Sequence, residues 1–107
     1  MAYAVIFSDA AEADLSAIHD FIVERAGAEA ALRFVNRIEN YCLGFSNVPE
    51  RGTRRNDLRP GLRTVGFRRR ATILFEVDAR ARQVTIHGIY YAGRSLGLEL
   101  GDDDPNE

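Results

Sequence analysis

The 107-residue sequence has no lysine and no tryptophan, a single cysteine (Cys42), one methionine and three prolines. A lone cysteine can neither close an internal disulfide nor build a thiolate zinc cluster, which excludes a disulfide scaffold and a zinc finger. Without lysine, no ε-ammonium is available for Schiff-base or proton-transfer chemistry. No apolar run approaches the ~20 residues of a membrane-spanning helix. The start, MAYAVIFSDAAEADL, has no basic region ahead of its short apolar stretch, so no secretory signal and no membrane partner are expected, and the cytoplasm is the expected compartment. A Gly-rich phosphate loop, HExxH, GxSxG and paired-cysteine motifs are all missing. His19 and His87 lack metal-ligand spacing, so neither a metal nor a cofactor is expected. What is present is 46% hydrophobic and 28% charged, enough for one core in one domain.

The net charge of −2 conceals a segregated chain. Residues 1–50 carry three arginines against eight acids, and residues 51–94 carry eleven arginines against Asp57, Glu76 and Asp78. Residues 95–107 add Glu99, Asp102, Asp103, Asp104 and Glu107. Every cation is therefore an arginine, whose planar fork fits carboxylates and phosphates bidentately. The basic middle segment suits a nucleic acid or an acidic protein segment that covers it.

Hydrophobic periodicity orders the elements. AYAVIF (2–7) reads as a short strand. Asp9 with Glu12 resembles a capping box, with Ser8 as the alternative cap. Ala11, Leu15, Ile18, Ile22 and Ala26 then form one helical face that Gly27 stops. Ala31, Val35, Ile38, Cys42 and Phe45 form a second helical face, closed by Asn47 and Pro49. So short a link makes an antiparallel αα-hairpin. ERGTRRNDLRPG is a loop, LRTVGF (62–67) a strand, and TILFEV (72–77) and QVTIHGIYY (83–91) an antiparallel hairpin across the turn Asp78–Arg82. The order strand–helix–helix–strand–strand–strand gives an α+β fold, an αα-hairpin packed on a small, largely antiparallel sheet, with the sheet order left open. Residues 1–100 form the single domain, and the acidic 101–107 (GDDDPNE) is expected to be a disordered tail.

Few residues carry chemistry. Cys42 falls on an apolar stripe and reads as a buried, inert thiol. Glu12 and Asp14 read as first-turn helix acids. His19 reads as a structural histidine at the edge of its helix stripe. Strand parity places His87 with Thr85, Ile89 and Tyr91, on the face opposite Val84 and Ile86. What remains is arginine with tyrosine: Arg51, Arg54, Arg55 and Arg59 in the loop, Arg63 opening a strand, the triplet Arg68–Arg70, and Arg94 after Tyr90 and Tyr91. Such a set could stabilise phosphorane-like charge without metal, or stack single-stranded bases. If the triplet is extended, at most two of its members share a face.

FSDAAEADLSAIHDFI, LRPGLRTVGFRRRATILFEVD and VTIHGIYYAGRSL, taken in order over about residues 3–96, resemble the ParE/RelE superfamily of toxins from bacterial type II toxin–antitoxin operons. The resemblance implies two helices over an antiparallel sheet and a small antitoxin that wraps the toxin. LRPGLR (58–63) and GRSL (93–96) lean toward the ParE-like branch, which poisons DNA gyrase, is not known as a nuclease and is neutralised by a ParD-like antitoxin. On that branch no catalytic residue is expected, and Arg59, Arg63, Arg69, Arg70, Tyr90, Tyr91 and Arg94 are the expected antitoxin- or target-binding residues. The alternative is a RelE-like, metal-independent endoribonuclease that cleaves messenger RNA on the ribosome, with Tyr91, Arg94 and Arg63 as its catalytic residues. The absence of lysine departs from the RelE-like pattern.

Overall fold

A serine and a glycine set the helical half of the chain. The computed structural model describes residues 2–91. After strand β1 (Ala4–Phe7), the Ser8 hydroxyl accepts a hydrogen bond from the Ala11 amide at 3.1 Å and starts helix α1 (Asp9–Ala26). Ser8 is thus the cap, and Asp9 with Glu12 complements the dipole in the first turn. Gly27 ends α1, its N–H bonding the Val23 carbonyl, and also begins helix α2 (Ala28–Leu43). Its φ of 98° and ψ of 166° lie in a region that only glycine enters readily. The apolar stripe of α2 runs on through a 3-10 turn, Gly44–Ser46, which buries Phe45.

The sheet that receives the hairpin has five strands in the order β1-β5-β4-β3-β2. A two-residue β2 (Thr53–Arg54), inside what reads as a loop in the sequence, pairs with β3 (Leu62–Phe67). β3 pairs with β4 (Ala71–Asp78), and β4 with β5 (Gln83–Tyr91), all antiparallel. β1 lies parallel to β5, Phe7 opposite Ile86, so the first and last described strands are neighbours. The α+β class and the hairpin-on-sheet layering agree with the sequence reading. Alternation in β3 and β4 aims Val65, Phe67, Ile73 and Phe75 at Leu15, Ile18 and Ile22 of α1 and Ile38 and Cys42 of α2. Burial, with Glu39 nearby, pushes the Cys42 thiol up to about 12, leaving it uncharged and inert.

β5 departs from simple alternation. Leu74 faces Gly88 whereas Phe75 faces Ile86, so His87 is an extra residue, a β-bulge. The bulge reverses parity: Ile89 (2% exposed) and Tyr91 (7%) join Val84 and Ile86 in the core instead of sharing the face of His87. Tyr90 turns to the other face and lies back over Gly88, where a Cβ would collide with its phenol. Past the end of β1 the β5 edge would be unpaired, and there the Asp14 carboxylate accepts a hydrogen bond from the Ile89 amide at 2.9 Å. Asp14 is therefore a tie between α1 and the bulge, not a first-turn acid. The Ser8 hydroxyl donates to the His87 carbonyl at 3.4 Å beside it.

The Gly27 geometry makes Gly27→Ala a test of the helical junction. It should lower unfolding free energy by about 1–3 kcal/mol through backbone strain alone, since open space surrounds the position. Chemical denaturation checks this, and an unchanged midpoint would contradict it.

Candidate functional site

The turn between β3 and β4 is built against the usual residue preferences. Arg68 (φ 53°) and Arg69 (φ 57°) are both left-handed, and the Arg70 amide closes the turn on the Phe67 carbonyl at 3.1 Å. That is a type I′ arrangement, which ordinarily selects Asn-Gly. Each left-handed arginine costs about 1–2 kcal/mol. The triplet Arg68–Arg70 therefore lies in a turn, not in extended strand, and the fold bears strain to present arginines there.

Arg68 and Arg70 lean toward α2. With Arg33 and Arg37 they rim a cleft of about 360 Å³ whose wall is Ile22, Ala30, Phe34 and Tyr91. All four arginines are exposed. The ion pairs found among the described residues lie elsewhere, at Arg55–Asp57, Arg59–Glu76 and the two histidines. Gathering four like charges without a described counter-ion is unfavourable for the isolated fold and raises the potential for an anion. The described lining holds no carboxylate, histidine or thiol. The cleft offers planar donor forks for carboxylate or phosphate and an aromatic wall beside them.

The residues singled out in the sequence fall at different places. Arg70 and Tyr91 meet in the cleft; Arg69, their neighbour, does not line it. Tyr91 is mostly buried, packed edge-on against Phe21 at 5.7 Å and Phe34 at 5.1 Å. Tyr90 lies on the opposite face of the sheet over Gly88. Arg63 is half-buried and donates to the Arg51 carbonyl at 2.8 Å, while Arg51 lies near the rings of Tyr41 and Phe45. Both tie the long loop to the core. Arg63 sits four residues before Phe67, roughly 13 Å along the strand from the Tyr91 end. Arg94 and the 101–107 segment lie outside the described residues. Arg33 and Arg37 were missed because a charge count by segment assigns them to the acidic half. Their i, i+4 spacing beside Ala30 and Phe34 is the signal that could have found them.

Arg59 belongs to a second cluster. Glu76 Oε1 accepts from Arg59 at 2.7 Å and from His87 Nε2 at 2.9 Å. The His87 bond, aided by Arg59, holds the Glu76 carboxyl below the usual carboxylate range despite partial burial. This cluster fastens the loop before β3 to β4 and gives the bulged residue, His87, a partner.

Comparison with known proteins follows the same outline. The family model described as the ParE toxin of the type II toxin–antitoxin system parDE matches residues 5–94. Among solved structures, a chain of the chromosomal ParDE toxin–antitoxin system from P. aeruginosa is similar at 28% identity and a TM-score of 0.71, over 84% of this chain and 96% of that one. A chain of the RelBE2 toxin–antitoxin complex from Mycobacterium tuberculosis shares the fold at 20% identity and a TM-score of 0.64, over 85% of this chain and 92% of that one. No curated protein sequence matches the chain.

The strained turn generates a test. Arg69→Gly relieves one left-handed side chain without touching the cleft, less the entropy glycine brings to the unfolded chain. It should stabilise the fold by about 0.5–1 kcal/mol, read as a higher thermal midpoint. A lower midpoint would show that the turn is not strained at Arg69.

Proposed function

We propose that this chain, which belongs to the ParE toxin family of type II toxin–antitoxin systems, arrests growth by inhibiting DNA gyrase. On this reading it is neutralised in the cytoplasm by a ParD-like antitoxin. The observation that carries the reading is the family match over residues 5–94, which takes in both helices and the cleft-forming strands. The P. aeruginosa relative, a chain of a ParDE system, supports the same branch.

Physical features agree with it. The cleft of Arg33, Arg37, Arg68 and Arg70 suits the carboxylates of an acidic antitoxin segment, with Arg70 and Tyr91 the shared members of the expected binding set. A second groove of about 320 Å³, lined by Phe7, Leu15 and Val35 with Glu12, His19 and Glu39, gives a partner helix an apolar seat. The separation of Arg63 from Tyr91 favours a gyrase inhibitor over a messenger ribonuclease, which would need both at one phosphate. Residues 1–100 then act as one toxin domain, followed by an acidic tail.

The test is a supercoiling assay with gyrase, relaxed plasmid and ATP, the free protein being titrated in. Loss of supercoiling with accumulation of linear DNA is the expected result. Unchanged supercoiling at a large excess of folded protein would overturn the gyrase assignment, and cleavage of messenger RNA on ribosomes would replace it.

A further inference from the structure

Four arginines from α2 and the β3–β4 turn converge on one cleft, and a common partner must carry several negative charges close together. We propose that Arg33, Arg37, Arg68 and Arg70 form a site for the phosphate backbone of duplex DNA, so that the toxin grips DNA directly.

Spacing, composition and packing each support a duplex backbone. Arg33 and Arg37, one helical turn apart on α2, are separated by about 6 Å of axial rise. Arg68 and Arg70 reach the same cleft from the turn between β3 and β4. Duplex DNA carries one negative charge per ~3.4 Å along each strand, so the α2 pair spans about two phosphates of one strand. Guanidinium forks hold such oxygens bidentately. None of the described lining residues is acidic, so nothing among them repels a phosphate. The groove on the other side of α2 carries Glu12 and Glu39, which do. A chain of net charge −2 is thereby polarised, and a polyanion is drawn to its cleft side.

The aromatic wall decides between duplex and single strand. Single strands are held by bases stacked on open ring faces. Tyr91 is buried here, and Phe21 and Phe34 meet it edge-on, while Arg25 covers Phe21 at 3.9 Å. The rings are committed to the core and the cations to the cleft, which suits contacts to phosphates without contacts to bases. Left-handed Arg68 presents its cation from a strained backbone, as binding sites commonly do. An acidic antitoxin segment in the same cleft would exclude DNA by occupancy. That the duplex is the one gyrase holds rests on the gyrase reading; the site itself does not.

The experiment follows the fluorescence anisotropy of a short fluorescein-labelled duplex of mixed sequence as the full chain is titrated in. Four phosphate contacts predict a log–log salt slope of about −3.6, a roughly hundredfold loss of affinity between about 50 and 200 mM salt. The double variant Arg33→Gln, Arg37→Gln should make that slope shallower by about 2. The control Arg80→Gln, Arg82→Gln removes the same charge from the β4–β5 turn and should leave the slope unchanged. All four positions are exposed, so both variants should fold, and matching thermal midpoints verify it. No binding at low salt, equal losses in the two variants, or tighter binding of a single strand of the same length would each overturn the proposal. The supercoiling assay on the same samples separates it from the gyrase reading. A protein that inhibits gyrase yet binds no DNA sinks the DNA site alone. One that binds DNA through the cleft yet leaves supercoiling unchanged sinks the gyrase reading and supports the site.

Discussion

The fold depends on one continuous run of aromatic contacts between the helical hairpin and the sheet. Phe21 of α1 meets Tyr91 of β5, Tyr91 meets Phe34 of α2, and Phe34 meets Phe67 of β3. The run continues through Tyr41 to Phe45, which lies 4.6 Å from Phe75 of β4. The edge-on pairs of this run, at Phe21–Tyr91, Phe34–Tyr91, Phe34–Phe67 and Tyr41–Phe45, add about 0.5–1.5 kcal/mol each beyond the area they bury. Arginines sit against the rings of this run: Arg25 over Phe21 at 3.9 Å, Arg68 near Phe67, and Arg51 near Tyr41 and Phe45. The same seam that seats the helices thus also gathers cations, and the cleft opens where α2, the β3–β4 turn and the end of β5 converge.

That convergence requires the bulge at His87. With regular alternation, Tyr91 would lie on the face away from the helices, Phe21 and Phe34 would lose their common partner, and the cleft would lack its wall. One inserted residue swaps Tyr90 and Tyr91 between faces, while His87 keeps the outward face and meets Glu76, which also holds Arg59. The cost is a break in the ladder, and Asp14 and Ser8, reaching from the start of α1, occupy the backbone groups beside it. The placement of α1 and the aim of Tyr91 are consequently one structural decision.

Much of this was legible in the residues. Steps of three and four gave both helices, because a 3.6-residue period and a buried stripe leave no other choice. Alternation around Ile73, Phe75 and Val84 gave the long hairpin. The bulge was not legible: a two-residue period read from Val84 continues unbroken through His87, and only the pairing of β4 with β5 reveals the slip. The parallel union of β1 with β5 is likewise a tertiary choice that no local pattern encodes. Composition located the arginine surface only in part. The triplet at 68–70 stood out as a run, whereas Arg33 and Arg37 belong to a segment whose net charge is acidic, and their role depends on helix packing. Of the two adjacent tyrosines, Tyr91 is the one that belongs to the core.

The account's central claim is that Tyr91 acts through its ring, as a core residue and cleft wall, and not through its hydroxyl. The most direct measurement is growth inhibition by Tyr91→Phe when the protein is produced without its antitoxin, alongside the thermal midpoint of the purified variant. Undiminished growth arrest with an unchanged midpoint is the predicted result. Loss of growth arrest in a variant that folds as stably as the parent would contradict it and make the hydroxyl a reacting group.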